Sequence, residues 1–376
     1  MKRFWGRILK LLLIIIVIIL ILPLAIGKRY LYKAVFYNFA DIDDYTIFDN
    51  REVSMGEGKP WKLAGEFGSI KMPDSLDRYL GDLKSVAVAV VRDRQLLFER
   101  YWDDYSDSSY SGSFSVAKSI TSLLIGAAIH DKLIPSVQDL VGNYLPEFSS
   151  GPKAKLRIVD LLTMSSGSDW DESYSDPLST TTELYYGPDL RRLATGVNII
   201  REPGTYHSYK SGDTELLGLI VEKATGKSLS KYASEKLWGP LGAEYPALWS
   251  IDSKGHEKAY CCFNTNARDF ARLGQLMLDS GRINGNPVVD SAYFTKSVTP
   301  CMLPDDLGAT CDYYGYQWWI VPEQNDIFYA RGILGQYIIC IPSKKMVIVR
   351  LGKKRDRIER SVPLEVRKLI AWGQDL

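Results

Sequence analysis

An α+β fold is what this sequence predicts, and three features carry that reading: a β-rich hairpin near each end of the chain and a run of helical periodicity between them. Residues 85–91 (SVAVAVV) and 96–102 (LLFERYW) are strand-forming runs separated by Arg92, Asp93, Arg94 and Gln95, the pattern of a hairpin. Residues 337–341 and 346–351 (MVIVRL), separated by Pro342, Ser343, Lys344 and Lys345, read as a second hairpin. Apolar residues at spacings of three and four predict helices over Val116–His130, 156–164, 214–225, 229–237 and Ala267–Leu278. The simplest packing puts both hairpins in one antiparallel sheet. A terminal helix over 362–372 covers that sheet, a helical lobe is inserted between the hairpins, and the cleft between lobe and sheet is where chemistry belongs.

The first 27 residues stand apart. Lys2, Arg3, Arg7 and Lys10 precede an unbroken apolar run over 11–26, which with Ile8 and Leu9 approaches the roughly 20 residues that span a bilayer. Small residues at Ala25 and Gly27 suit a signal peptidase, yet the run exceeds the usual signal-peptide core, so an uncleaved anchor over 1–27 is expected. Lys28, Arg29 and Lys33 on the far side nearly cancel the positive-inside bias, and the default is an extracytoplasmic body at the periplasm or cell surface. Residues 28–74, rich in Asp, Gly and aromatics, are expected to be irregular and packed on a body over 75–376.

Composition removes several function classes. With 46 basic and 45 acidic residues the net charge is +1, which gives no reason to expect nucleic acid as a partner. His130, His207 and His256 lie far apart without zinc-ligand spacing, so neither a metal nor any cofactor is expected. Five cysteines are an odd number. Cys301 and Cys311 either close a small ring in an oxidising compartment or remain thiols, and spacing leaves both readings open. Oligomeric state is not legible.

Ser115 and Lys118 open the helix Val116–His130 three residues apart, which brings a hydroxyl and an amine onto one helical face. A lysine with the ordinary pKa near 10.4 is no base at neutrality, so this one must be buried or set among other cations. The same Ser-x-x-Lys spacing recurs at Ser150 and Ser228. Gly151 and Pro152 spoil the first as a helical turn, and Ser228 reads as a plain N-cap. An N-cap is also the bland reading of Ser115 itself.

Two further elements fit the same chemistry. Tyr206, His207, Ser208, Tyr209, Lys210 and Ser211 lead into a helix, so Tyr206 with Ser208 or Tyr209 with Ser211 can deliver a phenol and a hydroxyl to the cleft. A phenol beside a cationic lysine can approach phenolate character. Gly332, Ile333, Leu334 and Gly335 enter the last hairpin, where glycine permits close approach of backbone to a ligand and an N–H there can pair with that of Ser115 in an oxyanion hole.

The order of Ser-x-x-Lys, LLTMSSG (161–167), PGTYHSYKSGDTELLGLIVEKATG (203–226), ARDFARLGQLML (267–278) and GYQWW (315–319) resembles the serine β-lactamase-related hydrolases, and among them the 6-aminohexanoate-dimer hydrolases. The resemblance runs from about residue 75 to the end. It implies the fold shared by β-lactamases, D,D-peptidases and penicillin-binding proteins, with Ser115 as nucleophile and Lys118 and Tyr209 as proton carriers. It also implies Ser211 in the cleft, Ile333 as the second oxyanion donor and Tyr174 as a substrate-facing residue. Arg331 and Gly332 fall where β-lactamases carry Lys-Thr-Gly, so the lysine that helps hold a β-lactam carboxylate is missing. Tyr206, Trp318 and Trp319, with Tyr174, are expected near an uncharged substrate. The reading is an amidase or esterase acting on small substrates through an acyl-enzyme. Its rivals are D,D-peptidase or β-lactamase activity and a penicillin-binding-like receptor without turnover.

Overall fold

The structure, a computed structural model, describes residues 2–376. Its main sheet has seven strands in the order Trp319–Val321, Gln324–Gly332, Gln336–Ile341, Met346–Gly352, Ser85–Arg92, Gln95–Tyr101 and Lys62–Leu63. The two hairpins meet as expected, Met346–Gly352 pairing antiparallel with Ser85–Arg92 and setting Val347 opposite Val91. The first hairpin turns through only Asp93 and Arg94, both at positive φ (49° and 61°), the backbone that matches the twist of paired strands.

The sheet is buried on both faces. Val347, Val349 and Leu351 face one core with the helix Ala267–Leu278, while Met346 and Ile348 face another with the terminal helix Leu364–Asp375. A strand apolar on both sides reads as a continuous run, which explains why MVIVRL lacks alternation. Arg350 in that run is fully buried. Its guanidinium donates to Ser85 Oγ and to the carbonyls of Leu83, Leu334, Gly335 and Lys354, so it ties the 334–335 loop to the sheet.

Several expectations need correction. Lys62–Leu63 pairs parallel with Gln95–Tyr101, so the sheet is mixed rather than antiparallel. The segment 28–74 is not irregular throughout: it holds the helix Tyr30–Tyr37 and the strand Asn50–Val53 as well as Lys62–Leu63. The first of these strands joins a second sheet, ordered Asn50–Val53, Ala247–Ser250, Phe263–Thr265 and Ser111–Gly112. Edge pairing across distant sequence left no local periodicity to read. The helix predicted over 156–164 is shorter, Ile158–Leu162, and the terminal helix starts two residues later and ends three residues later than expected.

At the N-terminus one helix, Lys2–Ala25, is long and apolar enough to cross a membrane by length and composition, with mean hydropathy 3.3 over Phe4–Ala25.

Candidate active site

Ser115 stands where a strand turns sharply into a helix. The Ser113 N–H donates to the carbonyl of Phe263 and the Phe263 N–H to Ser113 Oγ, which pins the segment before the turn to the second sheet. Phe114 then takes φ 44°, a left-handed conformation that costs a bulky aromatic residue about 1–3 kcal/mol and persists only where its surroundings impose it. Ser115 follows as N-cap of Val116–His130, but its side chain makes no capping bond. The bland reading of this serine fails, and its hydroxyl is left for chemistry.

Lys118 is fully buried, and its ammonium uses all three of its donors: on Ser115 Oγ at 3.1 Å, Ser211 Oγ at 3.0 Å and the carbonyl of Tyr260 at 3.0 Å. Burial lowers its pKa to about 8, against the pull of Glu172 and Glu215, whose negative charge favours the ammonium. Neither competing motif assembles a pair. Ser228 Oγ accepts from the Lys231 N–H as a helix cap, and Lys153 reaches away from Ser150 to the carbonyl of Thr195.

Tyr209 completes the cluster. Its ring centroid lies 5.1 Å from Lys118 Nζ. Burial pushes its pKa well above the ordinary tyrosine value, so the expectation of phenolate character is wrong and Tyr209 holds its proton. Of the two registers open in the sequence, Tyr209 with Ser211 enters the site. Tyr206 instead donates to Asp306 on the surface.

Glu172 is the residue the sequence did not flag. Its carboxylate accepts from the Ser211 N–H at 2.6 Å and the Ser211 hydroxyl at 2.7 Å, and also from Trp170 Nε1 and the Tyr174 hydroxyl. It therefore caps the helix Ser211–Thr225, where the dipole favours an anion, and orients Ser211 toward Lys118. Gly212 makes room for this: a Cβ there would meet the Trp170 ring at 2.4 Å. Residues 170–177 (WDESYSDP) hold three acidic residues, and nothing in their spacing singles out Glu172.

Gly332 presses against the turn that carries Ser115. A Cβ on it would lie 2.3 Å from the Ser113 carbonyl oxygen, so only glycine lets the strand end approach this closely. Ile333 comes next and lines the same cavity as Ser115. Among the described residues, the amides of Val116, Ala117 and Lys118 close the first helical turn, and none of these bonds uses the Ser115 N–H. The Ser115 N–H is thus not spent on closing that turn, as an oxyanion donor must not be.

A cavity of about 550 Å³ opens at this cluster, lined by Ser115, Tyr174, Ser211, Tyr260 and Ile333 among others. The other expected substrate contacts lie elsewhere. Arg331 stacks on Trp319, its guanidinium 3.3 Å from the ring centroid, and donates to the Ser361 carbonyl. Trp319 supports Tyr209 from behind, at 5.7 Å between centroids, and Trp318 is buried in the core. None of these three lines the cavity.

Among the cysteines, Cys261 and Cys262 form a disulfide between adjacent residues, directly after the Tyr260 carbonyl that holds Lys118. Cys301 and Cys311 are thiols here rather than a closed ring. Together with His207 they place three donor atoms within 4.8 Å of one another, which chain distance alone had argued against. His207 Nδ1 lies 2.9 Å from the Thr163 carbonyl.

Residues 74–369 match the family described as Beta-lactamase. The chain belongs to that family. Within it, the chain is 28% identical over 302 residues to 6-aminohexanoate-dimer hydrolase of Paenarthrobacter ureafaciens, covering 76% of each. A solved structure described as "Putative 6-aminohexanoate-dimer hydrolase from Bacillus anthracis" superposes with TM-score 0.73 at 27% identity, over 87% of this chain and 90% of that one. A family VIII carboxylesterase shares the fold, with TM-score 0.66 at 16% identity over 84% of this chain and 99% of that one. This β-lactamase-family chain is a hydrolase.

Proposed function

We propose that this β-lactamase-family hydrolase cleaves linear amide or ester bonds of small substrates through an acyl-enzyme on Ser115. One observation carries the reading: of three Ser-x-x-Lys pairs, only Ser115 and Lys118 meet, in a buried cluster at the floor of a cavity. Neutral Lys118 takes the Ser115 proton as Oγ attacks the carbonyl, and the N–H groups of Ser115 and Ile333 receive the developing negative charge. Tyr209, holding its proton, supplies it to the departing amine or alcohol, and the proton on Lys118 restores Tyr209. Water then repeats the sequence on the ester and frees the acid. Ser211 and Glu172 position Lys118 throughout. The likeness to 6-aminohexanoate-dimer hydrolase supports a linear amide. The helix Lys2–Ala25 anchors the body at the membrane, with the active site on the extracytoplasmic side.

The test is a Ser115→Ala protein beside Ser150→Ala and Ser228→Ala, assayed on a p-nitrophenyl ester and a linear ω-amino-acid dimer. Ser115→Ala should fold and lose at least 10³-fold in turnover, and Lys118→Ala should lose a comparable amount, while the other two keep wild-type rates. Turnover surviving in Ser115→Ala and lost in either of the others would refute the assignment.

A further inference from the structure

We infer that the physiological substrate is a long-chain acyl ester or amide presented at a membrane surface, its acyl chain entering the cavity past the helix Tyr30–Tyr37. The inference rests on the hydrolase reading above and on the membrane-spanning role of Lys2–Ala25.

Beyond Ser115, Tyr174 and Ser211 the cavity lining includes Ala34, Val35, Phe39, Pro177 and Tyr185, so part of it comes from the short helix Tyr30–Tyr37 and the three residues 38–40 that follow it. This helix is attached to the body, not draped over it. Tyr30 and Ala34 pack on Tyr186, the Tyr30 hydroxyl donates to the Pro177 carbonyl, and Lys28 pairs with Glu183 at 3.2 Å.

Its outer face is uncovered. Val35 is 68% exposed and Phe36 81%, on a helix (YLYKAVFY) whose only charge is Lys33, and Phe39, just beyond its end, is 77% exposed. A surface helix apolar nearly all round belongs in an interface rather than in water. The chain dictates which interface. Tyr30 follows Ala25 by five peptide links, and a fully extended chain spans at most about 3.6 Å per residue. The start of the short helix therefore stays within roughly 18 Å of the end of the spanning helix, whatever path the linker takes. Arg29 and Lys33 are exposed at that level, where cations meet lipid phosphates, and the exposed aromatics suit the headgroup boundary.

A cavity mouth held at this depth and walled by apolar side chains admits an acyl chain without passing it through water. A hydrophilic dimer gains nothing from Val35 and Phe39, whereas each methylene moved from water into such a wall favours binding about fourfold.

Full-length protein in phosphatidylcholine and phosphatidylglycerol vesicles should be assayed on p-nitrophenyl acetate, butyrate and decanoate below their aggregation limits. We expect kcat/KM to rise at least tenfold from butyrate to decanoate, and Val35→Asp or Phe39→Asp to flatten that rise. The wild-type series decides the matter even if either variant fails to fold. A decanoate value at or below butyrate, with butyrate turned over and Ser115 acylated, overturns the inference and leaves the hydrolase reading standing. No turnover of any ester and no acyl mass on the Ser115 peptide overturns both.

Discussion

Lys118 and Glu172 share one hydroxyl: Ser211 Oγ accepts from the ammonium at 3.0 Å and donates to the carboxylate at 2.7 Å. A buried lysine would lose its proton more readily still without that carboxylate, so the pair sets a balance between a base and a spectator cation. Replacing Glu172 by Gln removes the negative charge and should move the acid limb of kcat/KM to lower pH. The plateau rate should fall about tenfold, because Ser211 loses its ionised acceptor. A limb shifted to higher pH would mean that Glu172 does not act on Lys118.

The wild-type profile follows from the same lysine. Above the lowered pKa of about 8 Lys118 is neutral and can take the Ser115 proton; below it the ammonium cannot. Activity should therefore rise as pH increases through about 8, and kcat/KM reports this because the group titrates in the free enzyme. Tyr209, raised above its ordinary value by burial, adds no falling limb below pH 10. Tyr209→Phe should lose about 10²–10⁴-fold in kcat while keeping the acid limb in place. A limb that disappears in Tyr209→Phe would assign the titration to the phenol instead.

Gly332 offers a test of the oxyanion hole that leaves every side chain of the cluster intact. An alanine Cβ would sit 2.3 Å from the Ser113 carbonyl, so the strand end must withdraw and carry Ile333 with it. Ester turnover by Gly332→Ala should fall about 10²–10³-fold, the loss expected on removing one oxyanion donor, with KM changed far less. Arg350 holds the neighbouring 334–335 carbonyls to the sheet, so circular dichroism and thermal unfolding should show a folded protein. Wild-type kcat in this variant would take Ile333 out of the site.

What the sequence disclosed and what it hid divide along physical lines. Val116–His130 and Ala267–Leu278 were legible to the residue, the first as a long apolar run buried from Val116 to Ala128 and the second because an amphipathic helix writes its period into the chain. Ser115 and Lys118 were legible because their partnership is local, a single turn of helix. Glu172 was not, since its partner Ser211 lies 39 residues away and a lone glutamate between Trp170 and Tyr174 has no spacing of its own. The helix Tyr30–Tyr37 was hidden for a related reason. Its apolar residues face both the body and the surroundings, so no amphipathic stripe marks it. Tyr206 and Trp318 were misread in the opposite direction, as aromatic residues near the motifs in sequence that point away from the cavity in space.

Substrate preference is the last consequence, and Arg331 decides it. The strand that carries Lys-Thr-Gly in β-lactamases has Ala330, Arg331 and Gly332 here, and a guanidinium could have replaced the missing ammonium had it turned into the cleft. Instead it is committed to Trp319 and the Ser361 carbonyl, and it does not line the cavity. A β-lactam carboxylate would enter without a cation on this strand, while Lys118 has no donor left to offer. Losing a charged hydrogen-bond partner costs about 1.5–3 kcal/mol, a factor of roughly 10 to 150 in kcat/KM. A p-nitrophenyl butyrate value and a linear ω-amino-acid dimer value should therefore both exceed that of nitrocefin by at least tenfold. Arg331→Ala should not change this ranking, because the side chain supports Tyr209 through Trp319 and meets no substrate. Nitrocefin turnover equal to the ester, or a selective loss of nitrocefin turnover in Arg331→Ala, would show that the guanidinium does reach the substrate carboxylate.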